Sequence, residues 1–293
     1  MCRIKISKKL TYNYFLDFCQ ILNSSMDEIQ RKREVLFDLS EVEFIDPFGM
    51  ISIIGACRHL HNHLNVYSKI ILPNGQAGRY MYNAGFDSLD RLDAFIEVKK
   101  PGFAFDWFKV EKASGGQLNF FESEGDIRKI TQEVEQWMGE HGFNEAQQFS
   151  ISTFISEMVQ NVCQHSNTPQ NGVLCRQTYK TKAGKSFLSW AIGDAGVGIR
   201  QSLLNANVPG ILNMTDSDAI QEVLKGRSSI QDDITRGNGF PNLFKAAQER
   251  RATLFIHSNN GVYGWNTRGN SQRKMMWDNS PISGTTVSFS LEE

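Results

Sequence analysis

Two patterns in the sequence predict an α/β fold. Over residues 1–105, short apolar runs alternate with segments whose apolar residues recur at helical spacing. From residue 117 onward, helical segments come early and strand-like segments late, as in a mixed α/β layer. Composition agrees. Of 293 residues, 40% are apolar and 22% charged, the mix of a soluble globular chain. That length predicts about two domains, each able to bury a core.

The elements follow in order. Cys2–Ser7 alternates like a short strand, and Tyr14, Phe15, Phe18, Ile21 and Leu22 mark a helix within Tyr12–Leu22. Val35–Leu39 is a compact apolar strand. A helix is predicted from about Phe48 to His63, with Pro47 at its first position, where a missing N–H costs nothing. Lys69–Leu72 reads as a strand stopped by Pro73-Asn74-Gly75, and a helix over Gln76–Asn83 ends at Ala84-Gly85. Breaker clusters at Lys99–Gly102 and Ala113–Gly116 mark a junction, so the predicted domains are 1–105 and 117–293 with 106–116 between them. The second domain opens with a strand at Gln117–Phe121 and helices at Gly125–Gly139 and Asn144–Gln164. Strands at Val173–Thr181 and Ser186–Ile192 follow, then helices near Asp216–Lys225 and Pro241–Arg250. Strands at Ala252–His257, Val262–Trp265 and Thr285–Leu291 close the chain.

Charge and cysteine usage exclude some functions. Lys and Arg number 31 against 32 Asp and Glu, a net charge of −1, which argues against a protein that coats nucleic acid. Cys2, Cys19, Cys57, Cys163 and Cys175 form no CxxC pair, so neither a zinc site nor a disulfide framework is expected, and a reducing compartment fits. The longest apolar run, Phe48–Cys57, is too short to span a bilayer, and no signal-peptide pattern follows Met1. A cytoplasmic protein is expected.

Four segments carry the chemistry. In Ile151–Ser166, the residues Ile151, Phe154, Ile155, Met158, Val159 and Val162 share a core face, while Glu157, Asn161 and His165 form a ridge along its border. A carboxylate there can order or deprotonate an attacking group, and a carboxamide oxygen suits magnesium. Taken alone, the ridge reads first as the polar flank of a core helix. The second segment, Asp194-Ala195-Gly196-Val197-Gly198, follows a strand. Its carboxylate can accept from an exocyclic amine, and its glycines admit close backbone approach; such a sequence also occurs in plain turns. Third, Arg236-Gly237-Asn238-Gly239-Phe240-Pro241 opens a helix, where free N–H groups and the dipole favour an anion, or simply make a capped loop. The last is Gly284-Thr285-Thr286 at a late strand. One decoy is set aside. Gly184-Lys185-Ser186 has Tyr179 where a P-loop needs glycine and lies between strands, so it reads as a hairpin turn.

In this order, the four segments resemble the ATP-binding domain of the GHKL superfamily (the Bergerat fold, HATPase_c), shared by gyrase-type topoisomerases, a class of chaperones, histidine kinases and MutL. The resemblance covers about residues 117–293. It implies an α/β sandwich with ATP under a mobile lid over about 200–236. Glu157 is then the general base and Asn161 the Mg²⁺ ligand. Asp194 reads the adenine amine, with Gly196 and Gly198 lining the pocket. Gly237 and Gly239 lie by the phosphates, Thr285 or Thr286 holds an adenine-side water, and Lys225, Arg227 and Arg236 are phosphate partners. The ExxxN spacing and the His165-Ser166 ending look most like anti-sigma-factor serine kinases. Pro241 stands where many relatives have a third glycine, which puts the phosphate contacts there in doubt. The first domain is similar to STAS domains, through Val35–Leu39, Phe44–Gly49 and Lys69–Pro73. Pro47 and Phe48 occupy the usual phospho-acceptor positions, so the domain is expected to dock or dimerise without that switch. His59, His61 and His63 are read as a solvated helix end.

The expected function is Mg-ATP hydrolysis, or phosphoryl transfer to a hydroxyl of a regulatory protein partner met through the STAS-like domain. The alternative is a nucleotide-gated binding switch without significant turnover. A nucleic-acid-processing ATPase fits less well, given the near-neutral charge. Self-association is left open, and neither membrane nor nucleic acid is an expected partner.

Overall fold

The computed structural model describes residues 1–6, 8–89, 93–100, 116–121, 123, 125–140, 142–165, 172–180, 186–228, 239–249, 252–266 and 273–292. The chain is mixed α/β, with a four-stranded parallel and a seven-stranded antiparallel sheet as its main sheets among the described residues. The parallel sheet takes strands β1 (Cys2–Lys5), β3 (Glu34–Asp38), β5 (Tyr67–Ile71) and β6 (Ile96–Lys99), in that spatial order. β2 (Lys9–Leu10) and β4 (Phe44–Ile45) form a separate short parallel pair. Ile4 stands beside Phe37, and Phe37 beside Ile70. Four of the five β3 residues are buried, as expected of a parallel strand covered on both faces. Helices α1 (Phe15–Ser24), α2 (Met26–Lys32), α3 (Pro47–Leu64) and α4 (Gly75–Asn83) accompany this sheet.

The antiparallel sheet has seven strands, ordered β12-β11-β10-β13-β9-β8-β7. These are β7 (Gly116–Phe121), β8 (Gly172–Lys180), β9 (Ser186–Gly193), β10 (Thr253–Ser258), β11 (Gly261–Asn266), β12 (Arg273–Asp278) and β13 (Thr285–Glu292). Helices α5 (Gly125–Glu140), α6 (Glu145–His165), α7 (Ile199–Asn205), α8 (Asp216–Leu224) and α9 (Gly239–Glu249) belong to this half. Ile130, Val134, Ile155, Val159, Ile220 and Leu243 from these helices share a core with Leu174, Trp190, Ile192, Leu254 and Phe289 of the sheet. That core fills one face of the sheet.

The other face is filled by the N-terminal half. Helix α3 starts at Asp46, whose carboxylate accepts the Gly49 N–H at 2.7 Å, with Pro47 next. It ends at Asn65 in the left-handed conformation. Between these caps it is apolar nearly all round, and such a helix has to be enclosed. It packs on β5 on one side and on β8, β9 and β13 on the other. Phe48, Met50, Ile53 and Ile54 therefore share one continuous cluster with Phe37 and Ile70 of the parallel sheet and with Val173, Cys175, Ala191 and Phe255 of the antiparallel one. Gly193 lies so close to the helix that a Cβ there would meet Ile51 at 2.6 Å. Arg58, 1% exposed, donates from Nε to Asp93 at 2.8 Å, itself 3% exposed.

Several expectations change. β6 forms at Ile96–Lys99, at the edge of the stretch read as breaker-rich, and α2 and β12 are additional elements. Of the junction 106–116, only Gly116 lies among the described residues, and it begins β7. Much of the stretch 200–236 expected as a lid is built structure. Helix α8, with a capping box at Thr215 and Asp218, buries Ala219, Ile220, Val223 and Leu224. These apolar side chains pack beside β11. Residues 229–238 lie outside the described residues. His59 and His61 are half-buried. His59 Nδ1 lies 3.1 Å from the Ser283 hydroxyl, and the His61 ring stacks on Phe95 at 3.9 Å. Only His63 of the three is exposed. All five cysteines are free thiols. Among the described residues, no helix is long and apolar enough to cross a membrane.

Two outcomes test this packing. Arg58→Ala leaves the Asp93 carboxylate buried without its cation and is expected to cost about 3–5 kcal/mol in urea unfolding. Burial lifts the Asp46 carboxyl up to about 7, against about 3.9 for an unfolded aspartate. Between those values the folded chain holds a proton that the unfolded chain has lost. Stability from this group is thus full below the lower value and is lost as pH rises through the upper one. Asp46→Asn keeps an acceptor for Gly49, and its unfolding free energy should fall less with rising pH across this window than that of the parent.

Candidate functional site

The second and fourth sequence segments meet at one end of the antiparallel sheet. Strands β9 and β13 are antiparallel neighbours, with Gly193 opposite Thr286, so the residues just beyond β9 lie beside those just before β13. The Asp194 N–H donates to the Thr285 carbonyl at 2.9 Å. The Asp194 Oδ1 accepts the Gly196 N–H at 2.6 Å, which folds the loop back on its own carboxylate. Burial pushes this carboxyl up to about 6, against backbone donors at Gly196 and Thr285 and the charge of Arg58, which pull it down. The side chain is half-buried. The Thr285 hydroxyl sits 3.1 Å from that of Ser258, which accepts the Ile199 N–H at 2.8 Å.

Two glycines make this contact possible. Gly284 has φ +93°, and a Cβ on it would meet the Asp194 carbonyl at 2.2 Å. Gly198 has φ +80°, and a Cβ there would strike the Asn259 side chain at 2.3 Å. Both positions need the left-handed region and have no room for a side chain. Asn259 is the residue that sequence reasoning missed. Its Nδ2 donates to the Val197 carbonyl at 2.8 Å, its Oδ1 accepts the Gly284 N–H at 3.0 Å, and its own N–H donates to the Gly284 carbonyl at 2.9 Å. One carboxamide thus fastens both glycine loops. Its position is the two-residue turn Asn259-Asn260 between β10 and β11, with Asn259 at φ +50° and Gly261 opening β11. An asparagine followed closely by glycine between strands is a hairpin signal present in the sequence.

The first and third segments meet in the helix layer. On α6, Phe149, Thr153, Glu157 and Asn161 follow one another at four-residue intervals on one ridge. The Glu157 carboxylate lies over Gly239, the first residue of α9, where a Cβ would fall 2.5 Å from it. The glycine therefore lets the helix head and the carboxylate touch. Asn161 is half-buried one turn further on. Helix α9 begins two residues earlier than expected, so Pro241 falls in its first turn, where proline is tolerated. A pocket of about 300 Å³ adjoins this contact, between Phe149, Thr153 and Phe154 of α6 and Asn242, Lys245 and Ala246 of α9.

The expected cations are differently placed. The Lys225 Nζ and Arg227 Nε both bind Glu222, at 2.7 and 3.1 Å, and Arg227 also donates to the Pro209 carbonyl at 3.0 Å. Gly226, between them, faces the Pro241 ring, so the stretch does reach the head of α9. Arg236 and Gly237 lie outside the described residues, as does the side chain of His165. A larger cleft of about 740 Å³ opens behind the Asp194 loop, between His59 and His63 of α3 and residues Ala195–Val197 and Ser280–Ser283. Desolvation and the neighbouring His63 lower His59 to about 4, so it is neutral and its Nδ1 accepts the Ser283 N–H at 3.1 Å. Among the described residues, no group of three or more His, Cys, Asp or Glu side chains is arranged to hold a metal.

Gly284→Ala forces a side chain into a left-handed position already in contact with the Asp194 backbone. A loss of about 1–3 kcal/mol or more is expected in chemical unfolding; an unchanged midpoint would mean that the two loops do not press together. In comparisons with known proteins, no family model and no curated protein matches this chain.

Proposed function

We propose that the chain is an ATP-binding regulatory protein of the GHKL kind that its four segments resemble, using Mg-ATP held by the antiparallel half. The observation that carries this reading is the half-buried Asp194 carboxylate at the end of β9, clamped by Gly196 and backed by Gly284 and Thr285. A half-buried carboxylate at a sheet end suits a base bearing an exocyclic amine. Gly284 and Gly198 let the two loops close on each other behind that carboxylate, which fixes its position. In the helix layer, the head of α9 is of the kind that takes an anion, provided that the Glu157 carboxylate now lying over Gly239 moves off it. The residues present fit a nucleotide.

In this reading Asp194 accepts the hydrogen bond of the adenine amine, and Thr285 or Thr286 holds the adjoining water. The head of α9, at Gly239 with Gly237 before it, faces the phosphates. Asn161 supplies an oxygen to Mg²⁺, which when bound neutralises charge developing on the phosphates. Glu157, one turn before Asn161 on the same ridge, takes the proton of the attacking water or hydroxyl. Lys225 and Arg227 already share Glu222 and reach a phosphate only by leaving it. The STAS-like reading of the N-terminal half fits a docking module without a phosphorylation switch. Pro47 and Phe48, at the acceptor positions, are buried in the first turn of α3.

A second reading, a nucleotide-gated protein-binding switch with no significant turnover, draws on the Ile51–Gly193 contact. That contact puts an N-terminal helix directly under the residue before Asp194. Calorimetry with Mg-ATP is expected to show binding by the parent and a loss of about tenfold or more in affinity for Asp194→Ala; absence of heat from the parent contradicts both readings. With γ-labelled ATP, Glu157→Gln should keep affinity and lose turnover by about 10²-fold or more if the chain is an enzyme. A parent that binds but releases and transfers no phosphate is the switch.

A further inference from the structure

The antiparallel sheet has two edges, and they are finished differently. At β7 the edge is covered, because the Leu118 N–H donates to the Ala84 carbonyl of the N-terminal half at 2.9 Å. At β12 no described strand pairs with the outer side. The strand reads Arg273-Lys274-Met275-Met276-Trp277-Asp278, and Arg273, Lys274, Met275 and Asp278 are exposed. Side chains alternate between the faces. Trp277 lies against Phe15 on the α1 side, with Arg273 and Met275 on that same face. Lys274 reaches Gln221 and Asp278 reaches Ser217 on the α8 side, with Met276 between them.

An open edge of this kind is a template for another strand. We propose that β12 pairs with β12 of a second copy of this chain, antiparallel about a two-fold axis, joining two seven-stranded sheets edge to edge. A two-fold axis perpendicular to the sheet keeps each face on its own side, so residues opposite each other must share a face. With the axis at Met276, Lys274 stands opposite Asp278 of the second copy, and the pair occurs twice. Met275 stands opposite Trp277, and Met276 opposite itself. Opposite charges and aromatic–aliphatic pairs directly across an antiparallel ladder are stabilising. Moving the axis to Met275 leaves Asp278 unmatched and sets Lys274 against Met276. Parallel in-register pairing sets Lys274 against Lys274. The placement of one cation and one anion on the same face, four residues apart, therefore selects a single register and a single partner. The inference does not depend on nucleotide binding.

The test uses the full chain. Sedimentation over a wide concentration range is expected to show a monomer–dimer equilibrium. Lys274→Asp, at an exposed position, sets like charges opposite each other twice and should move the midpoint to about tenfold higher concentration or more. Met276→Cys should give a disulfide-linked dimer under mild oxidation. Lys274→Cys should not, since the two copies of that residue are about 14 Å apart along the strand direction. The parent, with its own five thiols, is the control. A parent that stays monomeric throughout overturns the proposal. So does a dimer that Lys274→Asp leaves unchanged, or one that crosslinks no more readily through residue 276 than through residue 274.

Discussion

Helix α3 has no solvent face over most of its length, and the rest of the structure is arranged around that constraint. Twelve of its residues are buried, among them Phe48, Met50, Ile53, Ile54 and Leu60. A helix so uniformly apolar needs a second surface to cover what the parallel sheet leaves bare. The outer face of the antiparallel sheet supplies it, through Val173, Cys175, Ala191 and Phe255. Fully burying a large apolar side chain contributes about 1.5–3 kcal/mol, so losing this interface would expose far more than a typical domain's net stability of about 5–15 kcal/mol could absorb.

The same packing reaches the candidate site. Ile51 lies against Gly193, the last residue of β9, and Arg58 pulls on the Asp194 carboxyl through its charge. Asn259 then ties the loop after Asp194 to Gly284. A chain of contacts thus runs from the parallel sheet through α3 to the carboxylate that would read a base. A ligand that changed the Asp194 loop would press on α3, and a partner bound to the N-terminal half would press back. Such reciprocity is required wherever two sites share one equilibrium.

Much of this was legible in the residues. Proline at the first helical position placed the start of α3 correctly, and the Asp46 acceptor before it is what the structure adds. The segments around Asp194 and Thr285 were read as separate pieces, and pairing of β9 with β13 is what joins them. What escaped has physical causes. The apolarity of α3 showed that it was buried but not that two sheets share it, because periodicity carries no information about the number of partners. β12 was passed over because a charged edge strand lacks the continuous apolar run that marks a central one. The expected lid was inferred from its position between motifs. The residues Ala219, Ile220, Val223 and Leu224 already had the spacing of a buried face, and α8 buries them.

Native-state hydrogen exchange tests the central claim most directly. If α3 is the shared core of both sheets, the slowest amides of α3, β3 and β5 should open with the same free energy as those of β9 and β13, in one global event. Exchange of the α3 and parallel-sheet amides at a markedly lower free energy, with β9 and β13 still protected, would show that the two halves stand independently and would contradict the account.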